Sequence, residues 1–302
     1  MKIIIPVLFF LLMPAIYVQA QHNPSFSQYM FNDLLINPAC AGNRDVLSVT
    51  ALNRNQWLGF SGAPRTQTVS AHFPVNKKRI GLGFSILNDH QGVEGNTSIS
   101  LYYSYRIPVG KGKLSAGLST HMSFLRANWD KVSTTTPYDI VFSEAYRQNM
   151  VNIGGGMEFR RKSFFTGISV PYIIDYSDEI IISDSIEFLH TNIMFIAGST
   201  IKLKNEFRLH PSALLKIYPK YSGQLDINIL GSYRNSIFTG ISLRTSEGIV
   251  WLIEYQLTPE FRLGYTHDFP VSVMSGYMRG TNEILLRYEF GYRTNAVSTK
   301  FF

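Results

Sequence analysis

The sequence predicts an all-β fold, a transmembrane outer-membrane β-barrel of about 14 antiparallel strands with short periplasmic turns and long extracellular loops. Three observations lead there. From residue 46 onward apolar and polar residues alternate with period two, and helical periodicity is absent. The chain is 45% hydrophobic yet only 16% charged, against about 25% charged residues in an average soluble domain. Beyond residue 20, no uncharged apolar run reaches the length of about 18 that a membrane helix needs. A chain this apolar, lacking a helix to span lipid, satisfies its backbone polar groups by closing strands into a cylinder.

Residues 1–20 read as a signal peptide. Met1-Lys2 opens with positive charge, Ile3 to Val18 is apolar, and Val18-Gln19-Ala20 has the small-x-small form of a cleavage site. Pro14 interrupts the apolar run, which disfavours a retained anchor, and no cysteine follows the site as a lipoprotein would require. Residues 21–45, rich in Asn and aromatics, form an N-terminal periplasmic or lumen-facing segment, expected against the barrel's inner end or within it. Residues 46–302 form the barrel.

Strand alternation is clearest near the C-terminus. Ile249, Trp251, Ile253, Tyr255 and Leu257 point one way, and Val250, Leu252, Glu254 and Gln256 the other. Ile284, Leu286, Tyr288 and Phe290 alternate with Leu285, Arg287, Glu289 and Gly291; Ile99, Leu101, Tyr103 and Tyr105 with Ser100, Tyr102, Ser104 and Arg106. One face is aliphatic and aromatic, the other Ser, Gly, Asn and charge. The outer face of a soluble sandwich carries Lys, Glu and Thr in bulk, so the small polar face here suits an enclosed lumen. Charges there, such as Arg106, Glu254, Arg287 and Glu289, are expected to pair with one another, because an unpaired buried charge is costly.

The predicted strands are 46–54, 67–75, 79–87, 97–107, 113–124, 151–160, 163–170, 190–203, 206–216, 223–233, 236–244, 248–257, 260–267 and 283–292. Every second connection is tight, as at Asn76-Lys77-Lys78, Arg161-Lys162, Lys204-Asn205 and Arg234-Asn235. The long ones are 55–66, 88–96, 125–150, 171–189 and 268–282; the short 217–222 and 245–247 break the asymmetry. Basic residues gather at the tight turns, including Arg79, Lys111, Lys113, Lys162, Lys202 and Lys204, and acidic residues in the long loops, including Asp130, Asp139, Glu144, Asp178 and Asp184. Two readings of the basic rim stand: contact with phospholipid headgroups or an acidic partner, or solvated charge at exposed turns. The net charge of +7 does not indicate nucleic acid, because these cations do not form one recognition stripe.

Signs of catalysis are weak. Cys40, the single cysteine, has no disulfide partner, and the seven histidines fall singly rather than at metal-ligand spacing. Gly154-Gly155-Gly156 lies inside an alternating run with no helix behind it, which favours a crowded strand over a phosphate loop. Ser119, His121 and Asp226 all fall in the lumen phase, and nothing in the sequence brings them together. No catalytic residue, cofactor or metal is expected. The acids of 175–187 admit either Ca²⁺ binding or solvation, and Trp57, Phe60, Trp129 and Tyr138 either partner contact or an interfacial girdle.

The chain resembles the PorP/SprF family of type IX secretion proteins. The resemblance is strongest at Phe26-Ser27-Gln28-Tyr29-Met30-Phe31-Asn32, Asn37-Pro38-Ala39 and Ala41-Gly42, and continues through Asn55-Gln56-Trp57, Gly62-Ala63-Pro64-Arg65-Thr66-Gln67-Thr68, Tyr103-Ser104-Tyr105-Arg106, Gln224-Leu225-Asp226, Tyr255-Gln256-Leu257-Thr258-Pro259 and Arg262-Leu263-Gly264-Tyr265. Cys40 stands where the family often has Tyr, and Lys300-Phe301-Phe302 replaces its usual Pro-Arg-Tyr-Phe ending. The resemblance implies a non-enzymatic, integral outer-membrane protein. It further implies partners among the secretion components, either a periplasmic ring or a peptidoglycan-binding protein, together with a secreted surface protein whose export or retention it supports. Outer-membrane lipid is the remaining partner. Phe26, Ser27, Gln28, Tyr29, Met30, Asn37, Pro38, Trp57, Pro64 and Arg65 are its motif residues and candidate partner contacts. The alternative function is a passive or substrate-specific pore, for which small inward residues such as Gly81, Gly83, Ser115, Gly117 and Ser119 leave room.

Overall fold

In the computed structural model, residues 25–291 are described apart from 76–78, 130–144, 177–185, 188–191, 219–222, 246, 272–275 and 277. Fourteen strands close a single barrel: β1 (Leu47–Asn55), β2 (Arg65–Val75), β3 (Ile80–Gln91), β4 (Glu94–Val109), β5 (Gly112–Ala127), β6 (Tyr146–Arg161), β7 (Phe164–Val170), β8 (Ile193–Ser199, continued by Ile201–Lys202), β9 (Phe207–Ile217), β10 (Gln224–Tyr233), β11 (Ile237–Arg244), β12 (Gly248–Gln256), β13 (Phe261–Pro270) and β14 (Thr281–Phe290). Each pairs antiparallel with the next, and β1 pairs with β14 from Leu47↔Phe290 to Asn55↔Asn282. Among the described residues every strand has a neighbour on both sides, as lipid demands, and Tyr146 to Gly154 of β6 run on beyond the pairing with β7.

The pleat sorts the side chains. In β4, Ile99, Leu101, Tyr103, Tyr105 and Ile107 are exposed on the outside, while Ser98, Ser100, Tyr102, Ser104 and Arg106 are buried within. Tyr105, Phe164, Phe207, Tyr233, Tyr255, Tyr288 and Phe290 are exposed toward the turn end, where they make an aromatic band of the kind that sits at a membrane interface. The turns fit the strands they join. Asn205 and Glu206, and again Arg234 and Asn235, have positive φ at both central positions, the conformation whose twist matches that of a hairpin.

One predicted loop is a correction. Residues 88–96 continue β3 and β4, joined across Gly92 (φ 59°) and Val93. Strands β5 and β6 extend likewise, to Ala127 and from Tyr146. Asn88 and His90 read as loop because the outward face turns polar there, above the lipid belt, while the hydrogen-bonded ladder runs on.

Several predicted features lie outside the described residues: the signal peptide 1–20, Lys77 and Lys78, Tyr138, the side chains of the acidic loop 175–187, and the terminal Lys300-Phe301-Phe302.

Candidate functional site: a filled lumen between two rims

The lumen is occupied by the chain's own N-terminal segment. From Phe26 to Gly42 every residue except Leu35 is buried. Two short 3-10 turns, Asp33–Leu35 and Pro38–Cys40, fold it compactly, and Asn37 caps the second by accepting from the Ala39 amide at 3.0 Å.

The loop end of the lumen grips the start of this segment. Glu283 on β14 accepts the backbone amides of Ser27 and Gln28, each at 2.8 Å. Arg54 on β1 reaches Asp268 at 2.9 Å, Glu283 at 3.2 Å and the Ser27 hydroxyl at 2.6 Å. Ser27 in turn donates to Asp268 at 2.8 Å, and Arg244 donates to the Phe26 carbonyl at 2.8 Å. Arg54, Arg244 and Glu283 are buried and Asp268 is half-buried, and each has opposite charge or oriented dipoles around it. Without that, burial would be prohibitive.

Lower down, the contacts come from all round the wall. Asn228 donates to Tyr29 Oη at 2.7 Å, Arg287 to the Phe31 carbonyl at 2.8 Å, Ser169 to the Ile36 carbonyl at 2.6 Å, and Ser104 to the Ala41 carbonyl at 2.8 Å. Two glycines set the closeness of approach. A Cβ on Gly81 would overlap the Ala41 carbonyl, and one on Gly117 would overlap the Pro38–Ala39 backbone. The room that small inward residues leave is therefore taken up by the segment itself.

Near the turn end, Glu254 lies between Arg262 at 2.7 Å and Arg287 at 3.0 Å, and Glu289 pairs with Arg44 at 3.2 Å and Arg287 at 3.6 Å. The pairing expected of Glu254, Arg287 and Glu289 is present. Arg106 differs: it donates to the carbonyls of Gly42, at 2.9 Å, and Ala41, because the N-terminal segment places main-chain oxygens where a carboxylate was expected.

The inner face is also less polar than its sequence phase suggests. Leu52, Leu214, Leu230, Phe238, Leu252 and Leu285 point inward and pack against Phe26, Tyr29, Met30 and Phe31, with the rings of Phe31 and Phe238 edge to face at 6.1 Å. Apolar residues in the polar phase, such as Leu252 and Leu285, were the available signal for an apolar occupant. His121 is hydrogen-bonded to Ser119 at 2.9 Å and Ser100 at 2.8 Å. Asp226 lies instead with Lys216 at 3.8 Å and Arg244 at 3.7 Å. Gly154 and Gly156 face inward beneath Pro171 and Asn37 respectively.

The family model of the type IX secretion system membrane protein PorP/SprF matches residues 18–288. The chain belongs to this family. It is an outer-membrane protein, and no curated protein matches it in sequence. Among solved structures it is similar to the Acinetobacter baumannii outer membrane protein Omp33, with TM-score 0.50 at 8% identity over 81% of this chain and 98% of that one. It is also similar to the Ralstonia pickettii toluene transporter TbuX, with TM-score 0.51 at 8% identity over 85% and 92%. At such identity these two share the barrel fold and nothing more specific.

The PorP/SprF motif residues fall into two groups. Phe26, Ser27, Gln28, Tyr29, Met30, Asn37 and Pro38 lie in the lumen and contact the barrel's own wall. Trp57, Pro64 and Arg65 lie at the loop end. Trp57 has φ 47° and its ring meets Phe60 edge to face at 6.4 Å. Its loop is tied down where Leu58 donates to the Gly280 carbonyl, Arg279 to the Leu58 carbonyl and Gln56 to the Pro64 carbonyl, each at 2.9 Å. Arg65 is exposed at the first position of β2.

Proposed function

We propose that this PorP/SprF protein serves type IX secretion as a closed, non-enzymatic docking barrel. Its periplasmic rim binds a ring or peptidoglycan-binding component, and its loop end holds a secreted surface protein, supporting that protein's export or retention. The observation that carries the reading is the filled lumen. A wall whose charges pair with one another and with the backbone of residues 26–42, and whose inward apolar side chains that segment covers, leaves the two rims as the surfaces with interactions to offer, and gives a passive pore no support in this state. At the turn end, Arg79, Lys111, Lys162, Lys202 and Lys204 are exposed, which suits an acidic partner. At the other end Phe60 is 52% exposed beside the braced Trp57, an aromatic anchor of the kind interfaces use.

Gentle crosslinking of native envelopes followed by purification tests this. Type IX components and one surface protein are expected with the barrel, and a combined R79E/K202E/K204E variant is expected to lose the periplasmic partner while keeping the surface protein. Recovery of the barrel alone, with or without the charge reversals, overturns the reading.

A further inference from the structure

Above the lipid belt, the strand register lines up three arginines and a histidine on the barrel's outer face. Arg65 lies opposite His90, His90 opposite Gly95, Gly95 opposite Arg126, and Arg126 opposite Arg147, across β2 to β6. The four charged or titratable members are all exposed. Two residues further into the membrane, the row reads Gln67, Asn88, Thr97, Phe124 and Asn149; two more, and it is Val69, Ile86, Ile99, Met122 and Val151. The last row is apolar and exposed, the rim of the belt. The outer face thus passes from hydrocarbon to amide and hydroxyl to cation over four residues of strand, about 13 Å. A bilayer leaflet makes the same passage from acyl chain to headgroup.

Two features turn this row into a site. First, Arg126 and Arg147 are direct cross-strand partners, an arrangement of like charges that is unfavourable unless an anion lies between them. Neither arginine forms an ion pair among the described residues, and neither polar row contains a carboxylate. Second, Gly95 has no side chain, and its place is a crater of about 480 Å³ bounded by His90, Thr97, Phe124, Arg126 and Asn128. Guanidinium groups bind phosphate oxygens in two-point fashion, Thr97 and Asn128 add polar groups, and Phe124 supplies an apolar wall on the membrane side.

We propose that this crater and its arginine pair bind the phosphate-bearing headgroup of an outer-leaflet glycolipid. Such a contact would fix the height of strands β3 to β6 at the membrane surface, and it does not depend on what the rims hold.

The test uses full-length protein in neutral detergent, read by native mass spectrometry. The probes are monophosphoryl lipid A, its dephosphorylated counterpart, inorganic phosphate and an oligo-glutamate peptide. Retention of the phosphorylated lipid is expected to exceed that of the dephosphorylated one by about tenfold or more, the range of one lost charged hydrogen bond. R126Q/R147Q should lose that preference, R126K/R147K should keep part of it, and R234Q, on the opposite rim, should keep all of it. Gly95→Leu, which fills the crater without changing charge, should also lose it, and tests the proposal even if the double arginine variant fails to fold. Heat-modifiable gel migration reports folding in each case. Equal retention of the two lipids, unchanged retention in both R126Q/R147Q and Gly95→Leu, displacement of the lipid by equimolar inorganic phosphate, or binding of the acidic peptide alone would each overturn it.

Discussion

Cys40 and Glu158 meet inside the barrel, the thiol donating to the carboxylate at 2.9 Å across 118 positions of sequence. One partner belongs to the N-terminal segment and the other to β6, so the contact exists only while the segment occupies the lumen.

Burial, with the negative charges of Asp33 and Glu158 nearby, pushes the Cys40 thiol well above its ordinary range. Since thiolate is the reactive form, maleimide should label the folded barrel at least about tenfold more slowly than the urea-unfolded chain. Cys40 is the single cysteine, so mass spectrometry reads the reaction without ambiguity. Equal rates would show that the segment leaves the lumen freely.

Glu254 is the anion shared by two enclosed guanidinium groups, those of Arg262 and Arg287. Removing one partner from a buried ion cluster costs about 3–5 kcal/mol. E254Q is therefore expected to lower the urea midpoint of the barrel sharply, more than R234Q, which breaks the exposed, solvent-screened Arg234–Glu206 pair and should change it little. Similar midpoints for the two variants would contradict the inner network's role.

Gly117 on β5 lies opposite Gly156 on β6, and Gly155, one residue along, has the opposite orientation. A Cβ on Gly117 meets the Pro38–Ala39 backbone, whereas one on Gly155 meets nothing closer than ordinary contact. Gly117→Val should displace the segment and speed Cys40 labelling while the barrel still migrates as folded. Gly155→Val should leave labelling unchanged. Slow labelling in both would mean that the wall yields rather than the segment.

Most of the barrel was legible in the sequence because lipid imposes a strict rule on one face. Ile99 to Ile107 and Ile249 to Leu257 show the period-two signal plainly, and the tight turn at Arg234-Asn235 marks its hairpin. The extensions of β3 to β6 were not legible, since beyond the belt neither face has to be apolar and Asn88 or His90 reads as loop. The segment's place was narrowed to the inner end or the lumen. Its hold by Glu283 and Arg54 depends on residues more than two hundred positions apart, a relation that strand periodicity cannot supply. The inward leucines were visible as exceptions to the polar phase, but their meaning needed the packing.

Glu247, in the turn between β11 and β12, gives a pH dependence. Burial opposes its charge, yet Arg244 at 3.1 Å, with Lys216 and Arg54 behind, holds its carboxyl below the ordinary value of 4.5. A carboxyl lowered on folding contributes stability that is fully present above the unfolded value and is lost as pH falls through the folded one. The urea midpoint is therefore expected to drop on acidification below about pH 4.5. E247Q should start lower at pH 7 and fall less steeply. Parallel pH profiles for the two proteins would remove this carboxylate from the balance.

Single-channel recording in planar bilayers addresses the closed lumen most directly. The full-length protein is expected to insert without a stable open conductance, and a variant lacking residues 25–42 to open a persistent water-filled channel. A steady open channel from the intact protein, or no gain of conductance on deletion from a barrel shown to be folded, would contradict the account.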